Sequence, residues 1–259
     1  MISSAERQYY QLIEMIQSNG TESKPTKGTC LSVFGHTITL IPEEVPLLLG
    51  RKIYWEGLVG ELRAFIANEN TVAGFESHGC NFWGSWSNED GSLDVDYARL
   101  LHNFNEVNQL SRVIGNICLR PHSRKHVISL WDPSSDAKQV PCVLSYQWYV
   151  SAGRLHMIWT QRSADVMVGL ASDMFSAWLL NKLMAGTCSL KPGTVTMNLG
   201  DCHIYEEHYE AVDIYKDAVW ASESIANQPI CRTYGSIKDF SIQLQYYNPM
   251  PPIKFELKV

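Results

Sequence analysis

No stretch of this 259-residue chain approaches the ~18 consecutive apolar residues a membrane-spanning helix needs. The opening segment, Met1 to Arg7, lacks a basic region followed by an apolar core. Neither a membrane protein nor a secretory leader is expected, and the chain reads as cytoplasmic. Paired cysteines are missing as well: the seven, at 30, 80, 118, 142, 188, 202 and 231, form no C-x-x-C. An odd, scattered set argues against a disulfide framework or a zinc site and suits a reducing compartment. There is no basic excess either. With 21 Lys and Arg against 27 Asp and Glu, the net charge is -6. A surface that coats nucleic acid is therefore not expected, although a local cationic pocket for one phosphate remains open. What is present is an ordinary globular composition, 45% hydrophobic and 19% charged, able to bury a substantial core.

No compositional break, linker or internal repeat divides the chain, so a single α+β domain over 1–259 is the economical reading. Tyr9, Leu12, Ile13 and Ile16 recur at helical spacing up to Asn19-Gly20. The polar segment 21–29, with Lys24, Pro25 and Lys27, reads as a mobile loop, and 31–41 as a strand. An amphipathic helix is predicted over 55–67, with Glu61 on it, and a second helical region over roughly 97–117. From 126 the texture changes. Segments 126–130, 143–150 and 155–160 read as strands, with Ala152-Gly153 as a hairpin turn. Helical periodicity returns over 174–184, and strand signals over 194–199 and 240–246.

Cys142 is the first candidate for chemistry. A lone cysteine is usually a small core residue, but Pro141-Cys142 heads a strand and Arg162 lies one hairpin downstream. A neighbouring guanidinium lowers a thiol pKa and favours the nucleophilic thiolate. Three blocks follow in order: Pro141-Cys142; Gln161-Arg162-Ser163-Ala164-Asp165-Val166-Met167-Val168-Gly169-Leu170-Ala171-Ser172-Asp173; and Gly200-Asp201-Cys202-His203-Ile204-Tyr205. Together they resemble the core motifs of the thymidylate synthase family, and the likeness runs from about Arg7 to Val259.

The resemblance implies a thymidylate-synthase-like fold, a mixed β-sheet flanked by helices, with one sheet face used for dimerisation. It implies that the Cys142 thiolate adds to C6 of a pyrimidine nucleotide, and that C5 then attacks the one-carbon unit of 5,10-methylenetetrahydrofolate, a cosubstrate; no metal is implied. Arg162 and Ser163 match the family's phosphate-binding pair. Ser123-Arg124-Lys125 matches a Ser-Arg-Arg motif that reaches the phosphate from the other subunit, so an obligate homodimer with shared sites is implied. Lys125 stands for an arginine and loses its bidentate geometry. Pro25 falls at or near the family's N-terminal-loop arginine, leaving Lys24 or Lys27 to substitute. His203 and Tyr205 match the pair that hydrogen-bonds the sugar. Glu61 matches the glutamate that orders water and assists proton transfer at the base. Tyr97 matches a tyrosine near the nucleophile, though Asp94-Val95-Asp96-Tyr97 replaces the usual Gly-Pro-Val-Tyr. Val143 stands where members often have His. Trp83 and Trp86 match the pair packed near folate and nucleotide; Asp165, Gly169, Ser172 and the closing tail through Val259 complete the expected folate side.

Asp173 departs from the pattern. Members that read uracil carry Asn there, and a carboxamide meets uracil's N3–H donor and O4 acceptor with its own acceptor and donor. Cytosine reverses both groups. A carboxylate accepts from the 4-amino group, and protonation of either partner closes a second hydrogen bond with N3. The family's cytidylate hydroxymethylases use Asp in this way, so the resemblance points to a cytidine monophosphate, dCMP or CMP. Product type rests on other residues: hydride from the folate gives methyl, water gives hydroxymethyl. Trp83 and the intact tail favour exclusion of water; Ser172 in place of Phe and Gln139 in place of Leu add polarity to the folate-side wall. The expectation is C5-hydroxymethylation, with reductive methylation of dCMP or ordinary dUMP thymidylate synthesis as alternatives.

Overall fold

Ser3 starts the fold by accepting a hydrogen bond from the Glu6 backbone N–H at 3.1 Å, an N-cap that satisfies one of a helix's orphan donors. The computed structural model describes residues 2–223 and 228–258. Helix α1 (Ser4–Asn19) buries Tyr9, Leu12, Ile13 and Ile16 along one stripe, each such side chain worth roughly 1.5–3 kcal/mol when fully buried. The Glu6 carboxylate, also buried, accepts from the backbone of Leu49 and Gly50, both at 2.8 Å.

Two short strands follow in sequence, β1 (Thr21–Ser23) and the longer β2 (Cys30–Leu40). Strand β1 corrects the reading of 21–29 as a wholly mobile loop: it pairs antiparallel with β2, Glu22 opposite Leu31. Being polar and at a sheet edge, it carries no alternation that a sequence could show. Helix α2 (Trp55–Ala67) follows, then the short α3 (Val72–Ser77). The expected helical region 97–117 divides into α4 (Tyr97–His102) and α5 (Gln109–Leu119). Asn105 and Glu106 take positive φ in the turn between them, and the Asn108 side chain caps α5 by accepting from Ser111 N at 2.8 Å.

The second half builds the sheet. Strands β3 (Val127–Ser129), β4 (Val143–Ser151) and β5 (Arg154–Asp165) lead through a π-helical turn (Val166–Leu170) into α6 (Ala171–Thr187) and β6 (Lys191–Tyr205). The β4–β5 turn is Ala152-Gly153, with φ of 48° and 71°, the doubly positive pair that a tight two-residue hairpin requires. Helix α7 (Tyr209–Glu223) and a separate hairpin, β7 (Ile230–Ser236) with β8 (Asp239–Gln245), complete the described chain.

The main sheet runs β1-β2-β6-β5-β4-β3 and is mixed, because β5 and β6 are parallel while the other neighbours are antiparallel. One face carries the core: Trp148 lies opposite Met157, and Trp159 opposite Met197, all buried. Helices α1 and α6 pack on that face. Helix α6 is apolar nearly all round and occupies the centre of the core. No described helix is long and apolar enough to cross a membrane. This arrangement sets the C-terminal ends of β5 and the preceding turn against the N-terminal turns of α6, and the main cavity opens there.

Candidate active site

A cavity of about 620 Å³ is walled by the head of β4, the end of β5, the first turn of α6 and the end of β6. The C-terminal tail contributes Leu257 and Lys258 to its rim. A smaller cavity of about 120 Å³ lies behind it, and Trp83, Tyr97, Val143 and Asp173 border both.

Cys142 stands just before β4, on the wall of the larger cavity. Its backbone N–H donates to the Tyr97 hydroxyl oxygen at 3.0 Å. The Arg162 guanidinium is fixed beside the thiol: Nε donates to the Pro141 carbonyl at 3.1 Å and an η nitrogen to the Val140 carbonyl at 3.3 Å. Burial nonetheless pushes the Cys142 thiol up; Arg162 and Lys27 oppose that shift and Asp173 adds to it. The expected lowering by Arg162 is therefore present but outweighed by burial. Gln139, expected in the folate-side wall, is also a neighbour of the thiol: its amide nitrogen lies 3.9 Å from Cys142 Sγ, as a donor to it.

Two carboxyls face the inner cavity. Glu61, on α2, accepts from the Trp83 indole N–H at 2.7 Å, so Trp83 holds Glu61 as well as lining the outer cavity. Gly60 lets the backbone of 78–80 pack against α2, since a Cβ there would sit 2.5 Å from the His78 carbonyl. Burial raises Glu61 to about 8, with Trp83 opposing and Asp173 reinforcing. Asp173 lies in the first turn of α6, and burial raises it to about 6 against a hydrogen bond from Gln161. That bond, Gln161 Nε2 to Asp173 Oδ2 at 2.9 Å, has a fixed direction: Gln161 Oε1 accepts from the Trp159 indole N–H, also at 2.9 Å. Gln161 belongs to the inward row of β5 with Leu155, Met157 and Trp159. A polar residue at a core-facing position was the signal that could have found it.

His203 and Tyr205 lie at the end of β6, their rings 5.1 Å apart. Asp201 Oδ1 is 2.7 Å from His203 Nδ1, and Asp201 Oδ2 accepts from Ser32 at 2.7 Å. The bond to His203 holds the Asp201 carboxyl below its usual range, and an ionised acceptor there favours the proton on Nδ1. Ser163 and Asp165 also reach the outer cavity. Asp165 accepts from Met167 N at 3.0 Å and Val168 N at 3.1 Å, capping the π-helical turn. Trp86 packs 5.0 Å from Trp83 on the same wall. Gly169 lines it too, one helical turn before Asp173.

The tail is docked rather than free. Phe255 lies under the Arg51 guanidinium at 4.6 Å, and the Glu256 carbonyl is 2.9 Å from His208 Nε2. Lys27 donates to the Lys258 carbonyl at 3.3 Å.

Four of the expected residues that the structure describes are not on these walls. Ser172, one residue before Asp173 on α6, is half-buried and is not among the residues that line the outer cavity. Lys24 is paired with Glu22 at 3.1 Å, leaving Lys27 as the loop lysine at the cavity. Arg124 and Lys125 are exposed in the α5–β3 connection, outside their own chain's cavity. Val259 lies outside the described residues.

The chemistry such walls can do is nucleophilic addition to a flat heterocycle whose edge meets two proton-carrying carboxyls, with cations placed for an anionic group. The volume and the indole wall of Trp83 and Trp86 fit a second flat ring system beside the first. A family model agrees with that chemistry over nearly the whole length: the model for thymidylate synthase matches residues 7–259. The chain thus belongs to the thymidylate synthase family, and its chemistry is folate-dependent transfer of a one-carbon unit to C5 of a pyrimidine nucleotide.

Proposed function

We propose that the nucleotide is a cytidine monophosphate and that the product is its C5-hydroxymethyl derivative. The observation that carries the base assignment is the fixed Trp159–Gln161–Asp173 relay. Because Gln161 can only donate, Asp173 Oδ2 is held as an acceptor, and Oδ1 has no hydrogen bond among the described residues. When ionised, the carboxyl accepts from the cytosine 4-amino group; with a pKa near 6 it also takes a proton readily and can then donate to N3. Uracil would set its O4 acceptor against an ionised acceptor, a mismatch of roughly 1–3 kcal/mol for each unpaired group.

In this reading Cys142 adds to C6, and Glu61, mostly protonated at neutral pH with a pKa about 8, serves as the proton carrier at the base. Arg162, Ser163 and Lys27 hold the phosphate, and His203, with Nδ1–H turned to Asp201, leaves Nε2 to accept from a sugar hydroxyl. The folate supplies the one-carbon unit between the indole wall and the base, beside Asp165 and Gly169. Two features support addition of water to the C5-methylene: the Gln139 amide on the cavity wall, and the small cavity beside Glu61, which has room for water. Reductive methylation is the second reading, favoured by the docked tail and by Trp83, which shield the site.

The partner in this reading is a second copy. Among the described residues the helices pack on one face of the main sheet; in the opposite row Gln147 pairs with Ile158 and Tyr149 with His156, and Tyr149 and Ile158 are 58% and 38% exposed. A dimer through that face, with Arg124 and Lys125 entering the neighbour's phosphate site, supplies cations that lie outside their own chain's cavity.

The test of the base assignment is Asp173→Asn. Restoring a carboxamide should move the kcat/KM ratio toward uridylate by on the order of 2–4 kcal/mol, for two mismatched groups. A wild-type preference for uridylate would make this a divergent thymidylate synthase, and a variant that keeps its preference for cytidylate would overturn the role given to Asp173.

A further inference from the structure

Tyr146 lies on β4 in the core-facing row, 7% exposed, its ring 4.8 Å from Trp159 and 6.0 Å from Trp148. Its hydroxyl makes no hydrogen bond to any described residue, although buried phenols ordinarily find a partner. The ring borders the inner cavity of about 120 Å³, together with Glu61, Asp173 and Ser176. That cavity is polar on one side and large enough for water, which would satisfy the hydroxyl.

The groups around it are few. Glu61 borders the same cavity from α2, Asp173 from α6 and Tyr97 from α4; beyond that lining, the Cys142, Asp165 and Cys80 groups act electrostatically on Tyr97, Asp173 and Glu61. No lysine or arginine borders this inner space; Arg162 and Lys27 stand on the outer cavity instead. Two carboxyls sharing a poorly hydrated space with no cation do not both ionise readily. Burial and the two acids also push the Tyr146 phenol upward, so it remains a donor throughout the working range.

We propose that Tyr146 is a positioning residue whose hydroxyl, with water in the inner cavity, joins Glu61 and Asp173 into one hydrogen-bonded unit and sets how they share protons. The unit rests on this cavity being the base site, but not on which base is read. By donating toward the carboxylate side, the phenol stabilises the ionised form of whichever acid it reaches through the water, and its loss should raise the midpoint of at least one of them.

Tyr146→Phe keeps the ring and its packing while removing only the hydroxyl. The measurement is a pH titration of the carboxyl carbons by NMR in the nucleotide-free protein, with signals assigned through Asp173→Asn and Glu61→Gln. In Tyr146→Phe the midpoint of at least one acid should rise by about 0.5–1 pH unit. Replacing Tyr146 by 3-fluorotyrosine, a stronger donor, should move the same midpoint down. Midpoints that stay fixed in both variants overturn the proposal. If they stay fixed while Asp173→Asn still switches base preference, the coupling alone fails; if they move while base preference does not switch, the role given to Asp173 in base reading fails and the coupling stands.

Discussion

Replacing Glu61 by Gln should stabilise the protein above neutrality while removing most of its turnover. The folded chain holds the Glu61 proton up to a pKa of about 8, against an ordinary value of 4.5. Below 4.5 both folded and unfolded chains carry the proton and folding has no ionisation cost. Between 4.5 and 8 the unfolded chain releases it and the folded chain does not, so stability falls as pH rises, and the loss is complete above 8. At about 1.4 kcal/mol per pH unit, this interval sets a ceiling of about 5 kcal/mol. Water entering the neighbouring cavity screens the charge and brings the expected effect to on the order of 1–3 kcal/mol. A glutamine removes the ionisation but can still accept from Trp83. Urea unfolding at pH 4.5, 6, 8 and 9 is the assay: the stability gap between variant and wild type should be near zero at the lowest pH and grow across the series. Because a positioned general acid or base contributes roughly 10²–10⁴-fold, kcat should fall by at least the lower figure. Parallel stability curves for the two proteins would refute the reasoning, since they would mean that Glu61 ionises normally in the fold.

Two further outcomes bear on the nucleophile and on the second copy. Cys142→Ser should abolish turnover yet keep nucleotide affinity within a few-fold by calorimetry, because Arg162, Ser163 and His203 are untouched; persistent turnover would exclude the thiolate mechanism. Mixing Arg124→Ala chains with Cys142→Ser chains should restore part of the activity, since one site of each hybrid dimer regains both groups. Neither restored activity nor a dimer by light scattering would leave the exposed Arg124 without the assigned role.

How much of this was legible before the structure depended on how local the signal was. The α2 span matches the amphipathic reading of 55–67 residue for residue, because the apolar face of that segment is continuous. Strand β5 runs five residues beyond the expected end at 160, since Gln161-Arg162-Ser163 breaks the apolar alternation just where the chain turns from core to cavity. Helix α7 went unread: its apolar residues surround it, with Val212, Tyr215 and Val219 buried but Ile214 and Trp220 exposed, which blurs the helical period. In the site, motif residues adjacent in sequence were identified together, whereas partners joined across elements were not. Gln161 on Asp173, Asp201 and Ser32 behind His203, and Tyr146 beside Glu61 each depend on register or on helix rotation.

The most direct test is to give the unmodified protein each pyrimidine monophosphate, ribo and deoxy, with 5,10-methylenetetrahydrofolate, and to weigh the nucleotide product. A cytidine monophosphate that gains the elements of CH2O is the result expected from Asp173, Gln139 and the water-sized cavity beside Glu61. A gain of CH2 on a cytidine monophosphate would leave the base reading standing and contradict the role given to water. A gain of CH2 on deoxyuridylate alone would contradict the central claim that the Trp159–Gln161–Asp173 relay selects cytosine.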